Sequence, residues 1–367
     1  MRYPRQPKLR TALLFVAVAL LPLCARAQAP DANASRQATP ASASDPAVER
    51  GVKLFERGDM KGAAKEFRAA VKRTKTDHVA WLYLGQALIS LGDLKEARKA
   101  LDTSLALKPD FADAHASLAY LLLLTSKPAG AEAEAKKALE SDPNSPDAHY
   151  VIGQLRLREG AWLRALAEAD LIIARAPNAA AAYSLKTEAL LGLYERGNVV
   201  LADERRGAYK YDEKTIAEAR AAQPLRLREA ADSFEKYVSL SPNAPDVEEI
   251  RQQLESLRYF ADAAASPDPL RRIYSGSEAM TKAVITAKPE PGFTEQARRA
   301  NLNGTVRLRA VLGADGRVSH ILVVKGLPLG LTERAMAAAR SIKFKPATVN
   351  GHAVSQYVTL EYNFNVY

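Results

Sequence analysis

The residues best suited to chemistry in this 367-residue chain are few. His115 and His149 stand 34 residues apart, so a fold of that period would place two imidazoles on adjacent helices. A metal site needs further ligands nearby, and none is evident; interhelix packing is the expected role. His320 and His352 are isolated. Cys24 is the single cysteine, which excludes a disulfide framework and a four-cysteine zinc site. No G-x-S-x-G, H-E-x-x-H or Walker A sequence occurs. Glu248-Glu249 with Arg251 reads as a solvated helix face. Acid, base, nucleophile and metal ligand do not converge, so the chain reads as a non-enzyme without metal or cofactor.

What remains is recognition, and the composition says where. The formal charge is +10, from 52 Lys/Arg and 42 Asp/Glu. Much of it sits at the N-terminus, where Arg2, Arg5, Lys8 and Arg10 precede an apolar run from Ala12 to Leu23 and then Ala25-Arg26-Ala27. A basic start, a short apolar run and an A-x-A site make a secretory signal peptide over 1–27. The alternative is an uncleaved inner-membrane anchor, although the run is short for a span. Removing 1–27 leaves a chain without cysteine, which suits an oxidising periplasm. Residues 283–367 hold eleven Lys/Arg against five Asp/Glu, about +6, while the region before them is near neutral. A basic module on a neutral body fits an anionic or backbone-rich partner better than a whole-protein DNA binder, and no nucleic-acid partner is expected.

Residues 28–43 are rich in Ala, Ser and Pro and read as a flexible leader. The chain then repeats. Pro109, Pro143 and Pro177 are spaced by 34, as are Gly85, Ala119 and Gly153, and Ala97, Ala131 and Ala165. Residues 78–111 carry Trp81, Leu84-Gly85, Ala97 and Pro109 at the offsets of W-x2-L-G…A…P. On these residues the stretch 44–264 resembles a tetratricopeptide repeat protein. The resemblance implies pairs of antiparallel helices that bury their apolar faces only by stacking. The fifth unit is irregular over 197–220, read either as a long loop or as an extended helix pair, with a second helix resuming around Pro224. Residues 245–264 form a last helix that caps the solenoid. Residues 265–282 contain Pro267, Pro269 and Gly276 and read as a linker.

From 283 the period becomes two. Val306, Leu308, Ala310 and Leu312 share one face opposite Arg307 and Arg309; Gly313 to Gly316 turns the chain into a second strand over 317–325. A helix follows over 331–342, and 356–366 alternates again, with Val358, Leu360, Tyr362, Phe364 and Val366 inward. Lys288-Pro289-Glu290-Pro291-Gly292-Phe293, Asn303-Gly304-Thr305-Val306, Gly313-x-x-Gly316-Arg317-Val318, and Phe344-Lys345-Pro346-Ala347 with Gly351 occur in that order. Together they make 283–367 resemble the C-terminal domain of TonB-type energy transducers. One departure is Phe293-Thr294, where the family has an aromatic followed by proline. A second is the repeat array, where the family has a Pro-rich spacer behind an uncleaved anchor.

The expected fold class is therefore an all-α solenoid of tetratricopeptide repeats followed by a small α+β domain built on a three-stranded antiparallel sheet. The two resemblances imply the sites. In the repeats the inner-helix positions that line the concave surface are Leu82, Gln86 and Ile89, then Tyr120 and Leu123, then Tyr150 and Gln154, a mixture suited to an unknown peptide or protein. Packing against the next helix is the alternative role for many of them. In the C-terminal module the resemblance places contact with a receptor peptide along Tyr357, Val358, Thr359, Leu360, Glu361 and Tyr362. The implied function is protein–protein interaction in the cell envelope, with TonB-dependent outer-membrane receptors as partners bound by strand addition. The alternative is a non-transducing periplasmic scaffold that binds peptidoglycan or envelope proteins.

Overall fold

The computed structural model describes residues 45–207, 209–244, 247–263, 273–274, 281–299, 302–327 and 329–365. The expected signal peptide and leader lie outside the described residues, as does most of 265–282. The helical part runs α1 (Pro46–Glu56), α2 (Met60–Arg73), α3 (His78–Ser90), α4 (Leu94–Leu107), α5 (Ala112–Leu124), α6 (Pro128–Ser141), α7 (Pro146–Arg158), α8 (Trp162–Arg175), α9 (Ala180–Arg206), α10 (Glu213–Leu240) and α11 (Val247–Ala263). The chain divides into two compact units. One extends to Arg156 and includes Leu163–Leu185; the other comprises Leu157–Trp162 and Lys186–Tyr367.

In the repeats the same physics recurs at each period. Asp45, Asp59 and Asp77 cap the starts of α1, α2 and α3 by accepting bonds from backbone N–H groups at 2.8–3.0 Å. Gly85 lies against Leu101, so near that an added Cβ would sit 2.7 Å from the leucine side chain. That contact holds α3 and α4 together. The turn inside each helix pair needs one residue in the left-handed region: Gly58, Gly92, Ser126 and Gly160, again spaced by 34, have φ of 80, 79, 57 and 72°. A buried apolar core joins the helices from Ala47 to Leu155.

The fifth period breaks this rule, which resolves the irregular segment. Tyr194 stands where the turn residue would fall, and α9 continues through it to Arg206. Its partner α10 begins at Glu213, capped by Asp212, so the segment is an extended helix pair and not a long loop. Pro224 does not start a helix but lies inside α10. The residues beside it tie the pair together: Gln223 Nε2 donates to the Tyr194 carbonyl at 2.9 Å and Arg226 Nη1 to the Leu193 carbonyl at 3.0 Å.

The C-terminal part runs β1 (Val284–Ala287), α12 (Glu295–Arg299), β2 (Gly304–Leu312), β3 (Val318–Lys325), α13 (Leu331–Arg340), β4 (Lys343–Lys345), β5 (Ala347–Val349), β6 (His352–Val354) and β7 (Gln356–Phe364). The main sheet has the order β3-β2-β7, antiparallel throughout. Val306, Leu308 and Ala310 of β2 and Leu360, Tyr362 and Phe364 of β7 face a core closed by Leu331, Ala335 and Ala339 of α13. This is the inward face the alternation predicts. Two short ribbons, β1-β4 and β5-β6, were not expected. The second carries a legible signal: Asn350-Gly351, with φ of 51 and 80°, is the preferred pair for a two-residue hairpin turn.

Candidate protein-binding interface

His115 Nε2 donates to the Pro109 carbonyl at 2.7 Å, and His149 Nε2 to the Pro143 carbonyl at 3.1 Å. Their Nδ1 atoms meet Glu134 and Glu168, each at 2.7 Å. One period earlier Trp81 Nε1 donates to the Lys75 carbonyl at 2.9 Å; one period later Tyr183 Oη donates to the Pro177 carbonyl at 3.0 Å. The repeat position therefore wants a ring with a polar hydrogen that reaches back six residues to the preceding turn, and histidine is one way to supply it. The hydrogen bond to Glu168 holds the His149 imidazole pKa above its ordinary value. Among the described residues no group of His, Cys, Asp and Glu has the makings of a metal site.

The expected groove residues are mostly inside. Leu82, Ile89 and Leu123 belong to the repeat core. Gln86 is buried, its Nε2 donating to Ser117 Oγ at 3.0 Å, and Tyr150 is buried as well. Tyr120 and Gln154 remain half-buried. The reason is compositional: α3 and α5 are apolar on all sides, because each is flanked by helices of two periods. The half-buried surface is thus a cluster in which the Tyr120 and Tyr150 rings lie 6.4 Å apart and Gln154 Nε2 meets Tyr150 Oη at 3.4 Å. Burial, with Asp147 nearby, pushes the Tyr120 hydroxyl up to about 12.

The C-terminal strand offers a different surface. β7 is an edge strand: β2 lies on one side along its whole length, from Gly304 opposite Phe364 to Leu312 opposite Gln356. At the start of its other side the Tyr274 N–H donates to the Ser355 carbonyl at 2.9 Å and the Tyr357 N–H to the Tyr274 carbonyl at 3.0 Å. Backbone groups alternate along a strand, so Thr359, Glu361 and Asn363 turn theirs the same way. Among the described residues no strand covers them. Lys288 Nζ donates to the Glu361 carbonyl at 2.7 Å, with the ammonium 4.5 Å from the Tyr362 ring centroid. Leu360 and Tyr362 are buried, Val358 is half-buried, and Thr359 and Glu361 are exposed. Burial and the nearby Glu290 carboxylate push the Tyr362 hydroxyl up to about 12.

The face of the sheet opposite the core is not open along its length, which sequence reading missed. Arg307 bridges Glu361 at 2.7 Å and Glu195 of α9 at 3.1 Å. The Arg309 guanidinium lies among Tyr357, Tyr194 and Phe260, at 4.6, 5.4 and 5.8 Å from their centroids. Tyr357 stacks on Phe260 at 5.5 Å, and His320 stacks on Tyr259 at 3.5 Å. Gln253, Ser256 and Phe260 recur on one face of α11, so the last helix presents a mixed polar and aromatic stripe to the sheet. At the departure from the family pattern, the Thr294 hydroxyl accepts from the Ala297 N–H at 3.2 Å and so caps α12.

Residues 289–366 match the Gram-negative bacterial TonB protein C-terminal family, and residues 54–121 and 117–180 match tetratricopeptide repeat families. The chain carries tetratricopeptide repeats over 54–180 and a TonB C-terminal domain over 289–366. Both matched families are families of non-catalytic binding domains. The chain's TonB domain points to the cell envelope. Among the described residues no helix is long and apolar enough to cross a membrane.

DnaJ homolog subfamily C member 3 of Mus musculus is 32% identical over 108 residues, 29% of this chain and 21% of that protein. The chain thus spans about a fifth of the curated relatives it matches. Among solved structures, a thermophilic tetratricopeptide repeat protein of Thermus thermophilus is 18% identical with a TM-score of 0.43, covering 59% of this chain and 98% of that one. PilW, a type IV pilus biogenesis factor, is 18% identical with a TM-score of 0.40, covering 62% and 87%.

Proposed function

We propose that this protein is exported to the periplasm by cleavage after Ala27 and receives extended segments of TonB-dependent outer-membrane receptors along β7. The observation that carries this reading is the outer edge of β7, where Thr359 and Asn363 present backbone groups that no described strand takes up. Strand addition needs such groups and asks little of the incoming side chains. Val358, Leu360 and Tyr362 anchor the strand to the core, while Tyr357, Thr359 and Glu361 form its outward rim. The repeats serve a second protein partner through Tyr120 and Gln154, which remain half-buried.

Hydrogen exchange on the full chain tests the proposal, with an N-terminal box peptide from the same organism's receptors at millimolar concentration. Exchange over 359–363 slows on binding. Thr359→Pro, which deletes one outward N–H and is tolerable on an edge strand, abolishes that protection. An unchanged strand at millimolar peptide overturns the reading.

A second reading, a periplasmic scaffold that transduces no energy, draws support from α11, which holds the sheet directly through Gln253. Fractionation separates the two: recovery of the mature chain in the soluble periplasm favours the scaffold, and retention in the membrane favours transduction.

A further inference from the structure

The main sheet has two edges, and the one at β3 is treated unlike β7. Gln253 Nε2 donates to the Ile321 carbonyl at 3.0 Å, and Gln253 Oε1 accepts from the Val323 N–H at 2.7 Å. One side-chain amide thus bonds the carbonyl before Leu322 and the N–H after it. That is the donor–acceptor pair which a residue of a parallel neighbouring strand would present. Gln253 is buried, and Ser256 Oγ reaches the same Ile321 carbonyl at 3.5 Å. Arg340 at the end of α13 adds a bond to Gln252 at 2.9 Å.

We infer that α11 is the built-in occupant of the β3 edge, and that the surface it withholds would otherwise take β3 of a second copy of this chain. The argument for that occupant lies in the strand itself. Residues 318–325 read Val-Ser-His-Ile-Leu-Val-Val-Lys, rich in β-branched and apolar residues, with no proline and one terminal charge. An open edge of that composition is a template for its own kind. Antiparallel pairing about Leu322 is self-complementary, as a two-fold interface requires. His320, with φ of 45°, sits where the β2–β3 register shifts and stacks on Tyr259, so even the irregularity that would discourage pairing is held by α11. The consequence is a one-sided sheet: β7 accepts a strand and β3 does not.

The test uses the full chain and Gln253→Ala, with amide exchange and sedimentation velocity over a range of concentrations. In dilute solution the Val323 amide of the variant exchanges about tenfold faster than in the unaltered chain, as expected for the loss of one buried hydrogen bond. At higher concentration the variant dimerises more strongly than the unaltered chain, and the Val323 amide regains protection. Circular dichroism verifies folding. If Gln253→Ala unfolds, Gln253→Leu carries the same expectation, since a leucine of similar size can neither accept from Val323 nor donate to Ile321. A folded variant whose Val323 amide stays protected in dilute solution overturns the inference, and so does one that exposes the amide without added self-association.

Discussion

The early repeats and the C-terminal sheet both cover apolar surfaces, but they draw their partners from different distances. In the repeats each helix packs on chain one period away, and the same contacts recur: a close approach at Gly85, a left-handed turn at Gly92, a ring bonded six residues back at His115. In the sheet the decisive contacts join Gln253 to Ile321 and Val323, and Arg307 to Glu195. The repeats therefore tolerate loss of one unit's detail better than loss of a contact that every unit needs. The sheet depends on a few groups without copies elsewhere.

The strongest attack on the repeat side is Gly85→Leu. Its side chain has no room against Leu101, and it should cost about 3 kcal/mol, at the upper end for overpacking. Gly160→Leu pays the left-handed backbone penalty alone, about 1–2 kcal/mol. Thermal unfolding of both variants tests the register of the repeat, and equal losses would break it. On the sheet side, Arg309→Gln removes a cation held by three rings and should cost about 1–2 kcal/mol. Urea unfolding measures it, and a loss near zero would mean that the aromatic cluster stands without its guanidinium. A smaller effect has the opposite sign. Ser126 adopts the turn conformation that glycine fills one period to either side, so Ser126→Gly should stabilise by about 0.5–1 kcal/mol, readable as a raised midpoint.

The least of these effects sharpens the comparison through pH. His149 in the repeats has a raised pKa, because Glu168 accepts its hydrogen bond. Its contribution is complete below about 6.5, the unfolded value, and disappears as pH rises through the folded pKa. His320 in the sheet has a lowered pKa, because burial disfavours the charged ring. Its contribution is complete above about 6.5 and disappears as pH falls through that value toward the folded pKa. Unfolding of His149→Phe and His320→Phe at pH 5.5 and pH 8 checks both signs. The first should lose more stability at the lower pH and the second at the higher.

The site was partly legible. The alternation of Val358, Leu360, Tyr362 and Phe364 gave the buried face of β7 without any structure, because a strand has only two faces. The groove positions fall on α3, α5 and α7, but their exposure was not predictable from a period. Leu82, Ile89 and Leu123 are buried because neighbouring helices close over them, and a neighbour's reach is not written in the helix itself. The Asn350-Gly351 hairpin was readable and overlooked. The β1-β4 ribbon was not, since Val284–Ala287 is too short for its alternation to stand out.

The sequence by itself determined what depends on local spacing: the 34-residue period, the turn positions, the faces of the strands and the kinship of the two regions. Each follows from a helix or strand geometry that repeats every few residues. The tertiary structure alone decided that α9 runs through Tyr194 beside α10, that Arg309 sits among three rings, and that Gln253 closes the edge of β3. Those outcomes join residues from 29 to 115 positions apart. A single amide or guanidinium carries no pattern, and its energy depends on what the folded chain brings beside it.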